Sequence, residues 1–439
     1  MLAGATWYFT PEVLLAAIRS EPLRRELIAP CVEDGAISAH IPCIRPSRVG
    51  GPRVDVEYGP FAPNYAGPKV KAIFHNYGHG GSGWTLAPGC VQHLMQSFLA
   101  SRRQQKTETQ PGNKTPSAPP TDAPIAVIGA GVFGLMTLWQ LSLRGYTNVT
   151  LVAECDSDLT SHKAAGLAGV FALPSASNSE FIEQAAVDSF RFYERVRAGH
   201  ELAHIPDHLV RRIPLYLRPG ETDCVYYVKH GLMKPSTLVD VVFRDARSGH
   251  VVSAPRRLEE HMDGMFLDVG GLMKALEEVA LPCAKRLQTK RIHSFADLPK
   301  ETEYIFNCTG LGARTLARDT NVYGVGGHLL ELQDQPRNST TDTNTAQKTN
   351  TSAKPAADYM LMATLRGSGC DGSVKDCQGL PVEEHIYYMP KNGQGVIGGT
   401  LVKGLTDPSQ CIFDPFEFDR ILKDAREFFR STVPQSKYY

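Results

Sequence analysis

The apolar positions of this chain change period along its length, and each change predicts a different kind of element. Four apolar residues run unbroken from Ile125 to Ile128, and from Val132 to Arg144 apolar positions recur on a helical face. That switch of period predicts a strand, a tight turn and a helix. Val149 to Ala153 reads as a second strand, Gly271 to Val279 as a helix, and Tyr304 to Asn307 as another short strand. Strands alternating with helices predict parallel βαβ units. A second regime covers Tyr323 to Leu332, His385 to Met389 and Gly395 to Leu401, short strands separated by turn residues. Those predict a largely antiparallel sheet, so the expected class is α/β with a second, α+β domain.

Two segments break the pattern. Arg102 to Pro124 is polar and proline-rich and reads as a disordered linker; Gln333 to Ala357 is almost devoid of apolar residues and reads as a disordered surface insertion. Near the start, Phe74 to Trp84 reads FHNYGHGGSGW, with two histidines and four glycines. The pattern there predicts a strand end, a tight glycine loop, and a helix from about Trp84 to Ala100. His75 and His79 are four apart, a metal-binding spacing on a helix, but in a glycine loop they share no face. Hydrogen bonds that fix the loop are the preferred reading, and no metal site is expected.

Composition narrows the function. The chain has 439 residues, and lysine plus arginine equals aspartate plus glutamate at 46 each. A formal net charge of zero argues against a broad electrostatic grip on nucleic acid or an anionic membrane. Ten cysteines are scattered without a CxxC pair, which fits a reducing compartment better than a disulfide framework. Residues 125 to 143 are long enough to span a bilayer, but three glycines at fixed spacing and Gln140 interrupt them, and a buried strand-turn-helix is the expectation. The opening MLAGATWYFTPEVL is not read as a secretory leader, so the sequons at Asn113, Asn148, Asn338 and Asn350 are taken as chance matches. The ending SKYY is not a peroxisomal tripeptide. A cytoplasmic or peroxisomal protein that is not secreted is expected.

The strongest motif is GAGVFG, with glycines at 129, 131 and 134 directly after a strand and opening a helix. Gly129 allows the turn, Gly131 lets backbone approach a pyrophosphate, and Gly134 lets helix pack on strand. The helix N-terminus offers amide protons and a positive dipole end to the phosphates. Glu154 ends the next strand, where a carboxylate accepts ribose hydroxyls and repels a phosphorylated ribose. A Rossmann-like dinucleotide-binding domain follows, without a choice between NAD and FAD.

That choice comes from further segments: TSHKAAGLAGVFALP (160 to 174), YIFNCTGLGAR (304 to 314), IYYMPKNGQGVIGGT (386 to 400), IRPSRVGGPRVDVE (44 to 57) and FHNYGHGGSGWT. Together they resemble the D-amino-acid oxidase family of FAD enzymes, within the glycine/D-amino-acid oxidase superfamily. The resemblance implies FAD as cofactor, held by Gly129, Gly131, Val132, Phe133, Gly134, Glu154, Thr160, Ser161, Gly166, Leu167 and Gly310, with Gly83, Trp84 and Thr85 at the flavin. It implies Arg45 and Tyr387 on the substrate carboxylate, and Gly81 on the substrate side. A guanidinium suits that clamp because its planar fork takes both oxygens. Tyr387 and Tyr388 must face opposite ways on a strand, and Tyr387 is favoured. Hydride transfer to flavin needs no further catalytic side chain, and dioxygen would reoxidise the flavin to give hydrogen peroxide. A secondary, N-methyl or cyclic amino acid is the alternative substrate, and a non-catalytic flavin-binding relic the alternative of another class.

Some positions depart from the family. A tyrosine common four residues before Tyr387 is Glu383, the Trp-Gln after AAGL is Ala168-Gly169, and the Arg-Gly-Gln of the central strand is Gly326-Gly327-His328. The order departs too, since residues 1 to about 100 look like the family's C-terminal third moved to the front. A circular permutation is the favoured reading, and a gene-model fusion the other. It implies substrate-domain pieces at 1–50, 176–262 and 319–439, the last holding the insertion 333–357. FAD-domain pieces fall at 51–101, 125–175 and 263–318, with 102–124 as linker. The implied partners are a small amino acid or amine and dioxygen, with no nucleic acid and no membrane; oligomeric state is left open.

Overall fold

The computed structural model describes residues 23–101, 118–154, 159–163, 179–202, 205–222, 224–336, 357–366, 382–391, 394–406 and 413–431. Side chains at 364–366 and 382–384 are outside that description. The predicted linker and insertion therefore lie mostly outside it, but their ends do not. Tyr146 donates its hydroxyl to the Pro119 carbonyl at 3.1 Å, and Ala123 is buried. Gln335 is buried as well, exchanging hydrogen bonds with the Cys31 backbone through Oε1 and Nε2. The insertion was expected not to anchor to a core. A polar side chain that completes two backbone hydrogen bonds anchors a segment without any apolar residue.

The described strands form two sheets. The first has nine strands in the order β1 (Leu23–Ile28), β8 (Thr237–Arg244), β9 (Arg256–Leu267), β7 (Val210–Leu217), β13 (Met360–Arg366), β14 (Val382–Lys391), β15 (Gln394–Leu405), β12 (Val322–Leu332) and β2 (Ile37–Arg48). Only β1 with β8 and β7 with β13 pair parallel; the other pairs are antiparallel. The second runs β10 (Arg286–Thr289), β6 (Val149–Ala153), β5 (Ile125–Ile128), β11 (Tyr304–Asn307), β4 (Ala72–Tyr77) and β3 (Arg53–Tyr58), parallel except for the β3–β4 edge. This is the α/β architecture expected from the sequence. Residues 23–101 supply strands to both sheets.

Helices α1 (Gly83–Ala100), α2 (Val132–Ser142) and α4 (Ser179–Arg197) pack over one face of the parallel sheet, and α5 (Val269–Ala280) joins them. The same apolar cluster reaches one face of the nine-stranded sheet. The other face of that sheet is covered by α6 (Pro415–Arg430), whose Phe418, Ile421, Ala425, Phe428 and Phe429 lie on one stripe.

Helix α1 carries Pro88, which has no N–H to give to the Trp84 carbonyl. The Tyr193 hydroxyl of α4 gives that carbonyl a hydrogen bond of 2.7 Å instead. One turn on, the Gly89 amide bonds the Ser189 hydroxyl at 2.9 Å. A Cβ at Gly89 would overlap the Ala185 backbone, so only glycine permits this approach. Tyr193→Phe is expected to cost about 1–2 kcal/mol, because it strands a buried carbonyl. Urea denaturation checks it, and a midpoint unchanged from the parent would refute the capping role.

Candidate cofactor and substrate site

The turn between β5 and α2 has Gly129 at φ +102°, a left-handed conformation that disfavours any side chain. A Cβ there would also strike the Cys308 carbonyl at the end of β11, and one at Gly134 would overlap the Gly129 carbonyl. The turn is thus pressed between its own helix and the neighbouring strand. The amide of Val132, first residue of α2, donates to the Ser161 hydroxyl at 3.1 Å. An acceptor oxygen therefore sits at the positive end of α2, the kind of partner a phosphate supplies.

Ser161 belongs to the short helix α3 (Thr160–Lys163), which links three parts of the protein. Its carbonyl accepts the Trp84 indole N–H at 2.9 Å, tying it to α1. Thr160 turns the other way and donates to the Ile44 carbonyl at 2.7 Å, while Lys163 reaches the Pro42 carbonyl at 3.4 Å. His162 faces Glu277 of α5 at 2.9 Å. The α3 residues are thereby tied to α1, β2 and α5. Glu154 stands exposed at the end of β6, with Arg291 3.4 Å away. Gly166 and Leu167 lie outside the described residues.

The glycine-rich loop leaves β4 and enters α1 through a single turn, Gly80–Ser82. Gly78 and Gly80 have positive φ and press on β2: their Cβ positions would meet Arg48 and Ser47 side-chain atoms at 2.7 and 2.9 Å. Gly81 is exposed and Thr85 buried. The Phe133 ring comes within 3.8 Å of where a Gly83 Cβ would stand. Phe133 stacks on His79 with centroids 4.0 Å apart. His75 and His79 were expected to fix the loop by hydrogen bonds; the His79 Nε2 is buried without a partner among the described residues, and its ring stacks on Phe133 instead.

Burial lowers the His79 pKa to about 3. Above the ordinary histidine value, near 6.5, the group is neutral in both folded and unfolded chains and does not bear on stability. As pH falls below that, only the unfolded chain takes up the proton, and stability drops by about 1.4 kcal/mol per unit until about pH 3. By pH 5 the loss is about 2 kcal/mol. Parallel urea titrations of the protein and of His79→Phe across this range measure it, and equal slopes for the two would discard the assignment.

Arg45 and Tyr387 come from distant strands of the nine-stranded sheet, β2 and β14, separated by β12 and β15. A Cβ at Gly327 of β12 would overlap the Arg45 guanidinium, and one at Gly398 of β15 would overlap the Tyr387 ring and hydroxyl. Both side chains therefore lie along the sheet, over glycines, towards each other. Tyr387 is buried among residues shared with the parallel sheet's helices, whereas Tyr388 faces α6 and donates its hydroxyl to the Ala357 carbonyl at 2.9 Å. Burial pushes the Tyr387 pKa up to about 12, against the pull of the nearby Arg45 guanidinium. The phenol stays protonated at neutral pH, with its buried oxygen beside the Arg45 guanidinium. The sequence marks Gly327 as a family departure and places Gly398 within the segment 386 to 400, but it does not show either glycine clearing space for another strand's side chain. The side chain of Glu383 lies outside the described set.

Residues 124–253 match the family model described as DAO, FAD dependent oxidoreductase. Among solved structures the chain is similar to glycine oxidase from Bacillus cereus ATCC 14579, at 15% identity and TM-score 0.41, covering 70% of this chain and 77% of that one. It is also similar to glycine oxidase from Geobacillus kaustophilus, at 14% identity and TM-score 0.43, covering 69% and 76%. A third is L-amino acid deaminase from Proteus vulgaris with its specific insertion deleted, at 15% identity and TM-score 0.41, covering 74% and 78%. The matched segment holds the fingerprint, and FAD is the cofactor that the matched family description names. The residues present fit that group: a left-handed glycine turn, a helix amide already holding an acceptor oxygen, and a carboxylate at the end of β6. No described helix is long and apolar enough to cross a membrane.

Proposed function

We propose that the protein oxidises an α-amino acid, a D-amino acid by preference, to its imino acid, which hydrolyses to the 2-oxo acid. The observation that carries this reading is the Arg45–Tyr387 pair, a half-buried guanidinium with its Nη1 atom buried and a buried neutral phenol, laid towards each other over the glycines of the intervening strands. Arg45 would take the substrate carboxylate through two parallel N–H···O bonds, and Tyr387, held protonated, would donate a third. Burial of Tyr387 and of the Arg45 Nη1 atom would limit the competing water at those bonds. FAD supplies the hydride acceptor and, through dioxygen, the route to hydrogen peroxide. The side chains have only to bind, orient and exclude water.

We also read the chain as a circular permutation. Residues 23–101 contribute β1 and β2 to one sheet and β3 and β4 to the other, with β4 paired directly to β11 and β2 to β12. That interlocking supports one fold built from both pieces. A reordered chain carrying 124–439 ahead of 1–101 should then bind FAD with the same spectrum.

The direct test is the visible spectrum of the purified protein under anaerobic conditions, before and after mixed D-amino acids. Bleaching by the D set and not the L set is the expected result. Bleaching only by an N-methyl or cyclic amino acid would transfer the reading to secondary amines. Bound flavin that no amino acid bleaches would overturn it in favour of a non-catalytic flavoprotein.

A further inference from the structure

His75 is fully buried on β4, on the sheet face opposite α1, and its two ring nitrogens meet different partners. The Asn307 side-chain amide of β11 lies 3.1 Å from Nδ1, and the Glu57 carboxylate of β3 lies 3.5 Å from Nε2. Asn307 is itself fully buried, and its carbonyl oxygen accepts the Thr309 hydroxyl proton at 2.7 Å. These contacts impose one direction of donation. Thr309 gives its proton to Asn307, Asn307 gives an amide proton to Nδ1, and the imidazole proton is left on Nε2 facing Glu57.

Thr309 is the outward end of this chain. It follows Cys308, whose carbonyl abuts Gly129 of the cofactor turn, and precedes Gly310, which has φ +56° and packs on Pro46 beside Arg45. The position is at the carboxyl end of a parallel strand, where ligands of such sheets bind.

We propose that His75 is a positioning residue whose protonation state sets whether Thr309 offers the bound cofactor lone pairs or a proton. With neutral His75 the threonine proton is committed inward, and only oxygen lone pairs face the crevice. A proton on Nδ1 would set two donors against each other across 3.1 Å. The Asn307 amide must then turn over, presenting its oxygen to His75 and its NH2 to Thr309. Thr309 becomes the acceptor inside and directs its proton outward.

The surrounding charges bear on that proton from several elements. Glu57 attracts it, and Glu57 is held well down, at about pKa 2, by the imidazole 3.5 Å away and by its hydrogen bond with Arg53. Asp55 attracts it also, Arg53 opposes it, and burial opposes it most, so the His75 pKa lies below the ordinary value. The Tyr77 and Phe295 rings close the remaining sides at 5.7 and 6.4 Å. The switch therefore belongs to the acid side of neutrality.

The consequence for FAD rests on the function proposed above, whereas the tautomer does not. Two measurements on the full-length protein test them together: histidine 15N resonances, and FAD dissociation constants at about pH 7.5 and about pH 5. The expected result is the Nε2–H tautomer at neutral pH. FAD affinity should fall about tenfold on acidification in the parent and in Thr309→Ser, but hold constant in Thr309→Val, which has no proton to redirect. His79 remains neutral over this range, so it does not contribute. FAD binding accompanied by an Nδ1–H tautomer, or by the same acid loss in Thr309→Val as in the parent, overturns the proposal. Absence of FAD binding at both pH values, with the Nε2–H tautomer intact, overturns the function on which it rests.

Discussion

With Arg45 replaced by methionine, the Michaelis constant for an amino-acid substrate is expected to rise about a hundredfold to a thousandfold. The flavin spectrum should remain that of the parent. Each charge-assisted hydrogen bond to a carboxylate contributes about 1.5–3 kcal/mol, and in the proposed clamp the guanidinium would make two that share one carboxylate and add less than fully. Methionine keeps the length and the apolar stem of the side chain, so the loss isolates the charged fork. Lysine should restore little of it, since a point charge cannot match two oxygens at once. The space for this geometry is set by Gly327, where any Cβ would meet the guanidinium. Tyr387→Phe should have a smaller effect, about tenfold, because one neutral donor is lost. Steady-state kinetics with matched flavin content measures all three. A rise below about fivefold for Arg45→Met would remove Arg45 from the carboxylate site.

The largest effect on stability is expected from Gly89→Ala, at about 3 kcal/mol. The added methyl would overlap the carbonyl, Cα and carbonyl carbon of Ala185. Those are backbone atoms of α4, which cannot swing aside as a side chain can. The two helices must separate, and the hydrogen bonds from Tyr193 to Trp84 and from Gly89 to Ser189 lengthen together. Because Trp84 also holds Ser161, the strain should carry to the cofactor turn and weaken FAD retention. Denaturation of the apoprotein reads the first part and flavin release on dilution the second. An unaltered denaturation midpoint would show that α1 and α4 are not so closely packed.

The sequence was most legible where local chemistry decides structure. The strands Ile125–Ile128, Val149–Ala153 and Tyr304–Asn307 end where the pattern places them, because short apolar runs there meet glycine or polar residues. The helix from Gly83 and the left-handed turn at Gly129 follow from the same cues. Much less legible were β7, β8 and β9: β7 and β8 find their outer partners β13 and β1 far along the chain, and Arg and Asp side chains such as Arg211, Arg212 and Asp240 interrupt their apolar runs. The amphipathic α6 escaped reading although its apolar stripe is regular. In the candidate site, the family resemblance pointed to Arg45 and Tyr387, but their approach depends on Gly327 and Gly398 of intervening strands, a relation that exists only once the sheet forms. The Thr309–Asn307–His75–Glu57 chain joins three strands and left no local trace.

The early position of β2 and β4 has a consequence for biosynthesis. Val322 pairs with Arg48, and Tyr304 with Ala72, so the first strands made must wait for partners more than two hundred residues later. At a ribosomal rate of about 5–20 residues per second, that delay is on the order of ten to fifty seconds. During it the nascent chain exposes β4, all six residues of which end up buried, as an unpaired edge open to other chains. Yield in a host should therefore depend on translation speed and on chaperones that shield the first hundred residues, more than on the stability of the finished fold.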